Sequence, residues 1–124
     1  YTALSFCNCI KMSETPVYTV NCGYCFSADA LIFISGHRRF AFKDSSCLFH
    51  LGSGSNSANF ADAQESNKQW KKLVERMKEI ICEKTTISTA LLNRKTKADW
   101  YLMGGEQLEH GVCDEIVESV NQIL

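Results

Sequence analysis

A single proline, Pro16, punctuates the whole chain, neither sign of charge dominates, and no long hydrophobic run occurs. Each shortage excludes something. The longest apolar stretch, Ala30 to Ile34, falls far below the roughly 20 residues needed to cross a bilayer. Thirteen basic and 14 acidic residues leave a formal net charge of −1, which offers no electrostatic footprint for nucleic acid or an anionic membrane. Lys68, Lys71, Lys72, Arg76 and Lys78 look basic in isolation, but Glu65, Glu75, Glu79 and Glu83 interleave with them, as on a solvated helix face. No basic segment followed by an apolar one opens the chain, so no secretory signal is visible. No initiator Met precedes Tyr1, which marks the chain as a candidate fragment or processed form. Its 124 residues suit one core, and one domain over 1–124 is expected.

Cysteine, by contrast, is plentiful. The seven are odd in number and sit mostly within apolar runs, a usage that fits a reduced compartment better than a disulfide framework. Cys7-x-Cys9 and Cys22-x-x-Cys25 together offer four thiolates for zinc, although the first spacing is short for a structural knuckle. Cys47 and Cys113 read as packing residues, and His37 and His110 as surface ones.

The organising stretch is Val17 to Gly36. A β-branched run, Val17 to Val20, breaks at Gly23 and passes through Tyr24, Cys25 and Phe26 to Ser27. Ser27 to Gly36 then reads as a short buried helix, with Ser27 able to cap its first turn and Gly36 able to stop it. The unit is strand, tight turn, helix. A hydroxyl at such a turn lies beside unpaired N–H groups and the positive end of a helix dipole, a favourable place to stabilise an oxyanion. Ser27 is therefore either a helix cap or a nucleophile.

Elsewhere the periodicity predicts helices over Thr2–Met12, from about Asp62 to Lys84, over Ser88–Arg94 and over Gly105–His110. Asp62 and Glu65 stand at capping-box spacing. Trp70, Leu73, Val74, Met77, Ile80 and Ile81 make one apolar stripe on the longest of these helices. Strands are predicted over Val17–Cys22, Phe40–Lys43, Cys47–Leu51 and Val112–Val117, with an extended piece over Ala98–Leu102. His37-Arg38-Arg39 reads as a polar connection, and Gly52 to Ser57 as a flexible polar segment. Strands alternating with helices indicate an α/β domain.

Twelve serines, three histidines and five aspartates supply too many triples for counting to carry any weight, so placement must decide. Ser27 is expected at a strand-to-helix turn, His50 at a strand end and Asp99 beside an aromatic pair, positions that gather at one edge of an α/β sheet.

These residues resemble a known family. Gly23-Tyr-Cys-Phe-Ser27-Ala-Asp-Ala30 resembles the nucleophile motif of the Clp protease proteolytic subunit, where a Gly precedes the serine by four positions and a buried helix follows. Arg39-Phe-Ala-Phe and Cys47-Leu-Phe-His50 are similar to the two short strands that end in that family's histidine. Asp99 to Val117 is similar to its closing segment, where an aspartate precedes an aromatic residue, a Glu opens a short helix and Gly-x-x-Asp follows. The resemblance implies a Clp protease and crotonase-like fold, with strand-helix repeats and a protruding helix handle. It implies a Ser-His-Asp triad of Ser27, His50 and Asp99, with the Ala28 N–H as oxyanion donor, and requires no cofactor or metal.

Further expectations follow from the resemblance. The substrates would be unfolded polypeptides, the partners ring subunits of the same or a related chain, and an ATP-dependent unfoldase would feed the ring in the cytoplasm or an organellar equivalent. A second oxyanion donor, in a glycine loop, belongs upstream of Tyr1, so the chain is expected to match the C-terminal part of the family domain. Ala28-Asp29 stands where the family has a large apolar residue and a glycine, and a carboxylate pointing inward there would oppose an oxyanion.

Three rival readings stand beside this one. Cys22-Gly-Tyr-Cys25 between a strand and a helix is a thioredoxin-like redox pattern, though no later proline faces it. A Clp-like subunit that assembles without cutting is the second. The related crotonase class, which acts on acyl-CoA, is the third.

Overall fold

The computed structural model describes residues 2–51 and 60–124. Helix α1, Thr2–Met12, buries Cys7 and Ile10 on one side and packs on α2. After Pro16 the chain enters β1, Tyr18–Asn21, and after a two-residue corner a second strand, β2, Tyr24–Phe26. Ser27 then leads into α2, Ala28–Ile34. The predicted strand-turn-helix unit thus contains an extra strand: Cys22 and Gly23 bend the chain out of one sheet and into another.

Helix α2 buries Ala30, Leu31, Phe33 and Ile34, which explains its nearly continuous apolar sequence. Gly36 is required for a different reason than a left-handed helix stop. A Cβ there would collide with the Thr19 side chain, whose hydroxyl donates to the Phe33 carbonyl at 2.6 Å. Close approach of β1 to the end of α2 therefore selects glycine.

Strand β3 covers Arg38–Phe42 and β4 covers Ser46–Phe49. The expected polar connection at Arg38 and Arg39 is in fact the start of β3. Arg38 is accommodated over the rings of Phe40 and Tyr18, at 5.0 and 5.8 Å from their centroids. Arg39 donates to both carboxylate oxygens of Asp114 and to the Lys84 carbonyl, which ties β3 to the approach to β6 and to the end of the long helix.

That helix, α3, runs Phe60–Lys84, beginning two residues before the expected start, so Asp62 lies inside it and not at its cap. The Asp62 side chain and residues 52–59, including the polar Gly52–Ser57 segment, lie outside what is described. The apolar stripe is graded: Ile80 and Ile81 are buried, whereas Trp70, Leu73, Val74 and Met77 are half-buried. No helix among the described residues is long and apolar enough to cross a membrane.

The remaining elements are α4 (Thr89–Lys95), β5 (Trp100–Met103), α5 (Gly105–Glu109), β6 (Glu115–Val117) and a 3₁₀ turn at Val120–Gln122. The last strand is shorter than expected because Val112 and Cys113 bond back to the Gln107 carbonyl of α5. Gly111 has φ 71°, the left-handed conformation expected after that helix. His110 is half-buried, edge-on to Trp100 at 5.3 Å, and is not the surface residue expected.

Among the described residues two three-stranded sheets result, ordered β1-β3-β6 and β2-β4-β5. The first is all parallel; in the second, β2 and β4 are parallel and β4 and β5 antiparallel. The architecture is mixed α/β. Where the chain passes between sheets, Asn21, Ser45 and Gln107 form a fully buried polar node. Asn21 donates to Gln107 at 3.0 Å and to the Ser46 carbonyl, and Gln107 donates to the Ser45 carbonyl and hydroxyl. Every buried side-chain polar atom among the described residues has a partner, as a low-dielectric interior demands.

Candidate active site

The geometry of the second sheet brings three distant residues to one edge. Parallel β2 and β4 finish there and antiparallel β5 starts there. The registers pair Phe26 with Leu48 and Phe49 with Trp100, so the residue after β2 (Ser27), the residue after β4 (His50) and the residue before β5 (Asp99) share that edge.

Ser27 is held in an unusual way. Its N–H donates to the Leu48 carbonyl at 2.9 Å and its carbonyl accepts from Leu31 at 3.3 Å, so both sides of the turn are fixed. Its φ is 56° and ψ −106°, and it is the one non-glycine with positive φ among the described residues. Such conformations cost about 1–3 kcal/mol and persist only where surrounding structure imposes them. The side chain makes no capping bond. A serine present to cap a helix would adopt extended backbone and bond to the first turn, so the capping alternative is set aside.

His50 Nδ1 lies 2.5 Å from Asp99 Oδ1, and both side chains are about half exposed, 53% and 46%. With Nδ1 engaged by the carboxylate, Nε2 is the nitrogen left for other work. Ser27 reaches this pair by register alone: no hydrogen bond joins its hydroxyl to His50 among the described residues. Such bonds are often loose without substrate. Ala28 opens α2, so its N–H has no acceptor within the helix.

Asp29, also in the first turn of α2, is exposed. Its charge acts on Cys25: burial, then Asp29, then Cys22 push that thiol up to about 11. In the redox pattern a helix N-terminus activates the first thiol, but Cys22 lies at the corner between β1 and β2. Cys25 also lies within β2, not at a helix start, which removes the geometry of the thioredoxin-like reading. Burial raises Cys47 strongly and takes Cys113 up to about 11, so both behave as packing residues. Cys7 is buried and donates to the Leu31 carbonyl, while Cys9, on the same helix, is exposed. The two thiols thus point to different surroundings. No group of three or more His, Cys, Asp or Glu side chains among the described residues is placed to hold a metal ion.

Sequence reasoning missed β2 and the strained Ser27 backbone. No local signal marks the second, because serine is not a residue that favours positive φ.

A family model described as Clp protease matches residues 1–120. Among curated proteins, the chain is 23% identical to the ATP-dependent Clp protease proteolytic subunit of Deinococcus radiodurans, over 98% of this chain and 61% of that protein. It is 24% identical to proteolytic subunit 2 of Treponema pallidum, over 88% and 56%, and 27% identical to proteolytic subunit 3 of Rhizobium meliloti, over 92% and 60%. The chain therefore spans only about three-fifths of the length of these relatives. A family match across nearly all of its residues leads to one conclusion: this chain belongs to the Clp protease family.

Proposed function

We propose that this chain is a serine endopeptidase-like subunit that hydrolyses peptide bonds of unfolded polypeptides, with Ser27 as nucleophile, His50 as general base and acid, and Asp99 as its orienting carboxylate. The observation that carries the reading is the His50–Asp99 bond at 2.5 Å, lying on the sheet edge where the strained Ser27 turn is pinned. Ser27 Oγ attacks the scissile carbonyl while His50 Nε2 accepts its proton. Asp99 holds Nδ1 and stabilises the imidazolium. The Ala28 N–H faces the developing oxyanion. Collapse of the tetrahedral intermediate breaks the C–N bond, and His50 returns the proton to the departing amine. Water, deprotonated by His50, then releases the acyl group from Ser27 and restores the site.

Residues 1–124 would form one domain corresponding to the C-terminal part of the family domain. Subunits of the same or a related chain would assemble into a ring, with the half-buried stripe on α3 as one contact. An ATP-dependent unfoldase would supply substrate, in a reducing cytoplasmic or organellar compartment. That the relatives are ATP-dependent Clp protease proteolytic subunits supports the subunit and unfoldase parts of this reading.

The test is treatment with a fluorophosphonate probe, followed by intact mass and identification of the modified peptide. Stoichiometric labelling at Ser27, lost in His50→Ala, is expected. A folded sample that stays unlabelled would overturn the reading in favour of a Clp-like subunit that assembles without cutting.

A further inference from the structure

Strand alternation divides the β2-β4-β5 sheet into two faces. Cys25, Cys47 and Leu102 are register partners on the inner face and belong to the core or pack against it. The outer face carries Tyr24 and Met103 on either side of Ser46, and Phe26 and Tyr101 on either side of Leu48. Tyr24, Phe26, Tyr101 and Met103 are 67%, 38%, 56% and 60% exposed. Phe26 lies 4.6 Å from Tyr24 and 6.1 Å, edge-on, from Tyr101 between ring centroids. The flanking rings leave Leu48 in the central strand only 7% exposed. Isolated exposed apolar side chains are ordinary, but four of them on one sheet face, three in ring contact, mark a place where something binds.

The same alternation carries the face to the candidate site. Two residues beyond Leu48 is His50, and two residues before Tyr101 is Asp99. The His50–Asp99 pair therefore stands on the outer face, at the end of the aromatic shelf. Phe26 and Tyr101 lie one two-residue step, roughly 7 Å, from that pair, and Tyr24 and Met103 one step further.

We propose that this shelf receives an aromatic side chain of the substrate polypeptide, two to four residues from the bond to be cut. This rests on the peptidase reading, since the occupant is the substrate of that site. The four apolar side chains carry no charge, so the shelf suits an uncharged ring packed offset or edge-on. A second copy of the chain is the lesser occupant, because covering this face with folded protein would also cover His50 and Asp99, which are about half exposed.

The test uses Ser27→Ala protein, which binds without cutting, and two fluorescein-labelled heptapeptides identical except for one Phe or one Ser. The Phe peptide should bind more tightly by anisotropy. Tyr24→Ser/Tyr101→Ser should weaken its binding by about tenfold, the worth of one or two aromatic contacts, whereas Tyr24→Phe/Tyr101→Phe should retain it. Equal affinity for the Phe peptide with and without the two rings would overturn the proposal. So would unchanged affinity together with loss of self-association in sedimentation, which would assign the face to a second copy. Fluorophosphonate labelling of Ser27, read in parallel on the unmutated chain, reports on the peptidase reading alone, so failure of either idea is seen separately.

Discussion

Two serines in this chain each stand immediately before a seven-residue helix, and they do opposite things. Ser88 precedes α4 with φ −75° and ψ 156° and accepts a hydrogen bond from the Leu91 N–H at 3.1 Å, the geometry of a helix cap. Ser27 precedes α2 with φ 56° and ψ −106° and caps nothing. One serine stabilises its helix. The other stores strain on the sheet edge that also carries a His–Asp pair, a contrast in keeping with the nucleophile role proposed for it.

The largest break in that comparison should be in reactivity. Ser27→Ala is expected to abolish fluorophosphonate labelling, and Asp99→Asn to slow it by about a thousandfold or more through loss of the correct imidazole tautomer. Ser88→Ala should label at the wild-type rate.

Next in size is a backbone control. Gly111, at φ 71°, shares the positive-φ region with Ser27 but is a glycine, and a Cβ there would sit 2.8 Å from the Thr86 nitrogen. Gly111→Ala should cost about 2 kcal/mol in urea unfolding, the sum of positive-φ strain and the clash with Thr86.

Smaller and opposite shifts should separate the two serines directly. Ser88→Ala should lose about 1 kcal/mol of stability. Ser27→Gly should gain about 1 kcal/mol, strain relief exceeding the added chain entropy, while losing all labelling. A Ser27→Gly variant less stable than wild type would remove the strain argument.

The smallest effect concerns acid. Arg39 holds the Asp114 carboxyl below its usual value of 3.8, chiefly through their side-chain hydrogen bond. Because the folded-state value is lowered, this contribution is present above about pH 4 and fades as the pH falls through the folded value. The stability gap between wild type and Asp114→Asn should therefore be open at neutral pH and close on acidification. Since Asp114 is partly exposed, the gap should be modest.

Much of the fold was legible where burial has a period. The α1 bounds follow from apolar spacing, the buried end of α3 from the Trp70 to Ile81 stripe, and the α5 exit from Gly111. Legibility failed where tertiary pairing overrode local pattern. Tyr24-Cys25-Phe26 is too short to announce a strand, and it becomes β2 only because β4 lies alongside it. Arg38 and Arg39 look like a loop until Tyr18, Phe40 and Asp114 supply their partners. For the site, spacing put Ser27 at a turn and His50 at a strand end, and the family resemblance linked them to Asp99. Their convergence depends on strand register, which no single segment encodes, and the positive φ of Ser27 contradicts its own residue type.

The buried bond between Asn21 and Gln107 joins positions 86 residues apart, and Asn21 also accepts from the Gly23 N–H at the corner that leads to Ser27. A chain emerging from its N-terminus would already hold the serine, the histidine and the long helix before it could close this node. Contacts of such sequence separation form late, because the loop must be closed first. The Asn21 anchor of the corner before Ser27 is thus completed only in the finished fold, whereas the bonds that hold Ser27 itself, to Leu48 and Leu31, close over far shorter loops.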